Sequence, residues 1–122
     1  MAVKGIGAII LYSSQLEKVI EFYSAFGFQF EKEQHEDGPL HYACEFDKIH
    51  FAIYETKEGA APRKNVGGCS QISFMVDSVD AIYDRLKRLN PEIIWEPKDA
   101  PWGKTAQVYD PDGRPVEFFE SK

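Results

Sequence analysis

Few side chains in this 122-residue chain combine a reactive type with an apolar, strand-like setting. His41 and His50 carry imidazoles that can move a proton or ligate a metal, and Glu117 carries a carboxylate suited to either task. Tyr12, Tyr54, Tyr109 and Trp102 offer aromatic faces with polar tips, suited to flat or partly cationic molecules through stacking and cation–π contact. Gln71, Ser73 and Gln107 add neutral hydrogen-bonding groups. His35 sits in a polar loop and is expected to be exposed. Cys44 and Cys69 lack CxxC or CxxH pairing, and their apolar surroundings favour buried structural thiols over redox or nucleophilic use. Asp110-Pro111-Asp112-Gly113 is a tight-turn sequence, which accounts for both carboxylates without catalysis.

A pattern that occurs twice must position these residues. A β-rich run at 7–12 leads into Ser14-Gln15-Leu16-Glu17, which has the S-x-x-E form of a helix-capping box. Leu16, Val19, Ile20, Tyr23 and Phe26 follow at helical spacing, and Gly27 is placed to end that helix. Strands are expected at 28–33, 41–46 and 49–54. Residues 58–68 are small, charged and turn-forming, and read as a linker. The order then repeats: a strand at 72–76, a helix capped by Asp77 or Ser78 and closed by Pro91, and strands at 93–95, 105–109 and 116–120. With a shift of about 63 residues, Ile9 falls on Ile72, Leu11 on Phe74, Leu16 on Val79 and Val19 on Ile82. The expected fold is therefore α+β, a single domain of two βαβββ modules, about 4–57 and about 69–120.

Each helix covers one sheet face, so the other face must curve into a cup or find a partner. Strand alternation turns Ile9 and Leu11 toward the helix, and Ala8, Ile10 and Tyr12 toward the cup. The same parity brings His50, Ala52 and Tyr54 to the cup from the first module. From the second it brings Gln71, Ser73, Gln107, Tyr109, Glu117 and Phe119, with Trp102 in a Pro/Gly-flanked loop above them. Met75 shares that parity and is read as plain packing.

Composition narrows the function classes. Hydrophobic residues make up 43% and aromatics 14%, enough for a buried core and incompatible with disorder. A net charge of −6 argues against an extended phosphate-binding surface, and Arg85, Lys87 and Arg88 suit a helix C-terminus better than nucleic acid. No signal peptide and no membrane-length apolar run is evident, so a cytoplasmic location is expected.

Three stretches resemble the vicinal oxygen chelate superfamily of glyoxalases, bleomycin-resistance proteins and extradiol dioxygenases. Gln15-Leu16-Glu17 running to Phe22-Tyr23 and Gly27-Phe28 resembles its "D-L-E … F-Y … L-G-F". The segment from Tyr109 to Phe118 resembles its closing "D-P-D-G-N … E-L", and Pro101-Trp102-Gly103 is similar to the "W-G" of resistance-type members. The resemblance implies two modules curled into a cupped mixed sheet, a homodimer, and in metal-using members four ligands from the first and fourth strands of each module. Those positions fall here at Ala8, Ala52, Gln71 and Glu117. Alanine has no donor atom and a glutamine amide is a weak ligand, so no cofactor is expected. The expected function is metal-independent binding of a small aromatic or cationic compound. The alternative is a metal-dependent lyase, isomerase or dioxygenase with a displaced divalent-metal site built from Glu117, His50 and His41. A cup filled by its own side chains, acting only through protein contacts, is the third reading.

Overall fold

The structure is a computed structural model that describes residues 2–56 and 71–121. The expected linker at 58–68 and Cys69 lie outside the described residues. The first module comprises β1 (Ala8–Ser13), α1 (Leu16–Ser24), β2 (Glu31–Glu33), β3 (His41–Phe46) and β4 (Ile49–Glu55). The second comprises β5 (Ile72–Met75), α2 (Val79–Lys87), β6 (Ile93–Ala100), β7 (Gly103–Tyr109) and β8 (Pro115–Phe119). Each module forms a four-stranded mixed sheet, in the orders β1-β4-β3-β2 and β5-β8-β7-β6. The β1–β4 and β5–β8 pairs are parallel and the others antiparallel. This is the expected α+β pair of βαβββ modules.

Alternation sorts the side chains into two faces. Leu16, Val19, Phe22 and Tyr23 of α1 are buried, as are Phe51 and Ile53 on the helix-facing side of β4. In the second module Val79, Ile82 and Leu86 pack with Phe74, Ala106, Val108, Val116 and Phe118. Full burial of each large apolar side chain contributes about 1.5–3 kcal/mol. Aromatic rings fuse the two cores into one. Phe26 lies 5.2 Å from Phe74 and 5.4 Å from Phe118, and Phe28 lies 5.3 Å from Phe74 and 5.2 Å from Phe51. Gly27, at φ 102°, makes the bend between Phe26 and Phe28 that few L-residues tolerate.

Several local expectations are corrected. The Ser14–Glu17 capping box does not form: Gln15 is the N-cap and makes no side-chain cap. Instead the Gln15 backbone N–H donates to Ser13 Oγ at 3.0 Å, while Glu17 turns outward to accept from Tyr42 Oη at 3.0 Å. The second helix is capped as expected, with Ser78 Oγ accepting from the Ala81 amide at 3.1 Å. The strand expected at 28–33 narrows to Glu31–Glu33, because Phe28 and Phe30 turn into the core. The strand expected at 93–95 runs on to Ala100, with register shifts on both sides of Trp95 that absorb Pro97.

Both β1 and β5 stand at the edge of their sheets, and they do not pair with each other. A groove of about 1000 Å³ runs between them, lined from the two cup faces by Ala8, Ile10, Tyr12, Ser73 and Met75. Met75 is 69% exposed there, so the expectation that it merely packs is corrected. No helix among the described residues is long and apolar enough to cross a membrane.

Candidate functional site

The parallel β5–β8 pair and the antiparallel β7–β8 pair place Ser73, Glu117 and Gln107 in one row across the second sheet. Glu117 is the hub of that row. Ser73 Oγ donates to Oε1 at 2.7 Å, Thr105 Oγ1 donates to Oε2 at 2.7 Å, and the Trp102 indole N–H reaches Oε2 at 3.3 Å. Thr105 is fully buried and Trp102 half exposed, so the carboxylate is anchored from below and roofed by an indole. A carboxylate offers about four lone-pair sites, and these three bonds leave one for an incoming donor. Beside it, Gln107 Nε2 donates to Gln71 Oε1 at 3.1 Å.

Glu117, Trp102, Gln107 and Gln71 line a shallow cavity of about 450 Å³ together with Trp95, Lys98 and residues 99–101. Lys98 Nζ sits 4.1 Å from the centre of the Trp95 ring, inside cation–π range. The Trp95 indole N–H is buried and has no hydrogen-bond partner among the described residues. Trp95 and Lys98 are functional candidates that sequence reasoning missed. Trp95 lies opposite Gln107, but the register shifts beside it break the period-2 pattern that parity relies on. A tryptophan two residues before a proline in a short apolar run was the available signal.

The cup face of the first module is organised differently. Strand register aligns Tyr12, Tyr54, His41 and Glu33 in one row across all four strands. Tyr12 and Tyr54 have centroids 5.9 Å apart, and the His41 ring stacks on Tyr54 at 4.3 Å and 12°. His41 is 4% exposed, with Nε2 lying 3.1 Å from Glu33 Oε2 and Nδ1 lying 3.3 Å from the Pro39 carbonyl oxygen. His50 stands at the other end of β4, four residues from Tyr54 and so about 13 Å away by strand rise, and it is paired with Glu45. Among the described residues Glu117, His50 and His41 are not gathered into one group: Glu117 is on the other sheet, and the two histidines have separate carboxylate partners.

The remaining expected residues fall as follows. Tyr109 and Phe119 are half-buried, with Phe119 opposite Thr105 on the Glu117 face. His35 is exposed, as its polar loop implied. Burial, with Glu45 adding to it, pushes the Cys44 thiol up in pKa, away from thiolate chemistry. Asp110 is buried, accepts from Tyr23 Oη at 2.6 Å and pairs with Arg114 at 3.0 Å, which is a structural assignment.

The four positions that the resemblance aligns with metal ligands carry a single charged donor, Glu117. Ala52 presents a fully buried methyl group and Ala8 another methyl. The Gln71 amide oxygen is engaged by Gln107, and three donors already occupy Glu117. One carboxylate with no imidazole, thiolate or second carboxylate beside it is not the donor set of a divalent transition metal.

Residues 5–118 match the Glyoxalase/Bleomycin resistance protein/Dioxygenase superfamily. The chain belongs to that superfamily. Solved structures agree on the fold. A glyoxylase/bleomycin resistance protein/dioxygenase domain from Frankia sp. EAN1pec is 16% identical, covers 99% of this chain and 100% of its own, and gives a TM-score of 0.76. TnmS3, an antibiotic binding protein from Streptomyces sp. CB03234, is 24% identical over 100% of this chain and 99% of its own, with a TM-score of 0.72. The fosfomycin resistance protein FosX of Listeria monocytogenes, as a mutant complexed with Mn(II) and a dihydroxypropylphosphonic acid, is 19% identical. That match covers 99% of this chain and 95% of FosX, with a TM-score of 0.73. No curated protein matches the sequence.

Proposed function

We propose that this protein sequesters a flat aromatic compound bearing a hydrogen-bond donor or a positive charge, without a metal at the superfamily's ligand positions. The observation that carries this reading is the anchored Glu117 carboxylate, with one acceptor site free, between Trp102 and Trp95. Indole faces supply stacking area, and the carboxylate supplies orientation and charge. The antibiotic-binding role of TnmS3 is consistent with such a use of the fold. Two alanines at ligand positions count against the metal-dependent lyase, isomerase or dioxygenase alternative.

A homodimer belongs to the same reading. A monomer with two open sheet edges, β1 and β5, and with Ile10, Tyr12 and Met75 between 47% and 69% exposed beside them, leaves apolar surface that a second copy would cover. The proposed location is the cytoplasm and the proposed partner a small molecule rather than nucleic acid, in keeping with the net charge of −6.

Both tryptophans of the chain line the proposed site, so intrinsic fluorescence reports on it directly. Titration with flat aromatic amines such as 9-aminoacridine is expected to quench emission saturably. Glu117→Gln is expected to weaken binding by about tenfold, the loss of one charge-assisted hydrogen bond. If no such amine quenches saturably, or Glu117→Gln binds equally well, the proposed site is wrong.

A further inference from the structure

A second group of polar side chains lies at the far end of the first module, outside the Glu117 cavity and away from the superfamily's ligand positions. Glu33 ends β2 directly opposite His41 on β3, and the 34–40 loop folds His35 back beside them. The loop is closed by the Gly38 amide donating to the His35 carbonyl oxygen at 2.8 Å. His41 Nε2 lies 3.1 Å and His35 Nε2 3.7 Å from the same oxygen, Glu33 Oε2, and the three ligand atoms all fall within 4.8 Å of one another. Ligand atoms bound to one ion at about 2.0–2.2 Å stand about 3–3.5 Å apart in tetrahedral or octahedral geometry. The observed spacing needs only side-chain adjustment to reach that.

The hydrogen bonds of His41 give an independent reason for a cation here. Its Nδ1 faces the Pro39 carbonyl oxygen and its Nε2 faces the Glu33 carboxylate, and both partners only accept. A neutral imidazole has one N–H, so it satisfies one of these acceptors. The other contact calls for a second cation, either another proton or a metal ion. With Nδ1–H donating to the carbonyl, the Nε2 lone pair is aimed at the cluster, which is how a backbone carbonyl orients a metal-ligating histidine. The second imidazole, from His35, beside the same carboxylate oxygen favours the metal, because a third donor atom within 4.8 Å of the other two is what an ion uses and a proton does not. The ring stack on Tyr54 holds His41 in this orientation.

We propose that Glu33, His35 and His41 form a binding site for one divalent transition ion of the zinc type, with at least one coordination position left for water or an exogenous ligand. The ion would add positive charge at the end of the Tyr12–Tyr54–His41 row. It is independent of ligand binding at Glu117.

The test is zinc stoichiometry of the chelator-stripped, reloaded and desalted full chain by mass spectrometry, alongside cobalt(II) visible absorption. About one ion per chain is expected, with the visible bands of low-coordinate cobalt. The His35 side chain is 80% exposed, so His35→Ala is expected to fold normally. It and Glu33→Gln should each weaken affinity by about tenfold or more, while His50→Ala retains the ion. Nitrogen-15 NMR of the His41 ring reads the same site without mutation, since zinc displaces its Nε2 signal whereas a doubly protonated ring is indifferent to zinc. Less than about a tenth of an ion per chain, full retention in both His35→Ala and Glu33→Gln, or an unmoved His41 signal would overturn the proposal.

Discussion

Tyr23 in the helix of the first module donates its hydroxyl to Asp110 at the closing turn of the second, at 2.6 Å and wholly inside the protein. Asp110 also pairs with Arg114 at 3.0 Å, and Arg114 reaches back to the Tyr12 carbonyl oxygen. Gln15 joins the same contact by donating to the Pro111 carbonyl at 2.7 Å and to Asp112 Oδ1 at 2.9 Å. A turn that reads in sequence as simple punctuation thus fastens one module to the other. Tyr23→Phe leaves a buried acceptor short of one donor and is expected to cost about 1–2 kcal/mol. Asp110→Asn leaves the buried Arg114 guanidinium with Asp112 as its main counter-charge, and is expected to cost about 3 kcal/mol. Urea denaturation of the two variants checks the order.

The same tyrosine sets an alkaline limit. Burial, and after it the charge of Asp110 and the hydrogen bond to it, hold the Tyr23 hydroxyl well above the ordinary value of 10.0. Above pH 10 the unfolded chain loses this proton while the folded chain keeps it. The folded state then binds more protons, so stability is full below pH 10 and falls as pH rises through the window above it. The slope from this one group is about 1.4 kcal/mol per pH unit. Stability of wild type and Tyr23→Phe, measured from pH 9 to 11.5, is expected to converge as pH rises.

Pairing through the open edges is checked by Met75→Glu. Its side chain is 69% exposed, so the folded monomer tolerates the charge, while a carboxylate buried against a second copy would not be tolerated. Light scattering is expected to give a dimer for wild type and a monomer for the variant, with circular dichroism unchanged. A wild-type monomer at micromolar concentration contradicts the dimer.

Trp102 and Thr105 separate positioning from folding. Trp102→Ala removes a half-exposed indole, so it should change stability by less than about 1 kcal/mol while weakening aromatic-amine binding by about tenfold. Thr105→Val removes one anchor of Glu117 and preserves side-chain volume. It is expected to weaken binding severalfold and to cost about 1–2 kcal/mol because the residue is fully buried. Calorimetric titration with 9-aminoacridine, paired with thermal melts, checks both.

The architecture was legible in the sequence because period and turn chemistry agreed. Ile9, Leu11, Ile72 and Phe74 turn into the common core as alternation implied, and the 110–113 turn closes through the Gly113 amide and Asp110 carbonyl at 2.9 Å. The site was legible only as a face. Parity brought Ser73, Gln107 and Glu117 together, but nothing local showed that Thr105 would donate to Glu117 as well. Trp95 escaped because the irregular β6 strand has no period to follow. The pairing of Glu33 with His41 escaped because it depends on hairpin register, which the polar 34–40 loop does not encode in a recognisable turn. The cap at α1 differs because Gln15, one residue after Ser14, takes the N-cap position, and the buried Ser13 hydroxyl accepts from the Gln15 amide.

The most direct test of metal-free sequestration is calorimetric titration of wild type and Glu117→Gln with 9-aminoacridine and related flat aromatic amines, each run with excess chelator and with added zinc. Saturable binding to wild type at one site per chain is expected, equal with chelator and zinc, and about tenfold weaker in Glu117→Gln. Binding that requires the metal, or that ignores the loss of the Glu117 charge, would contradict it.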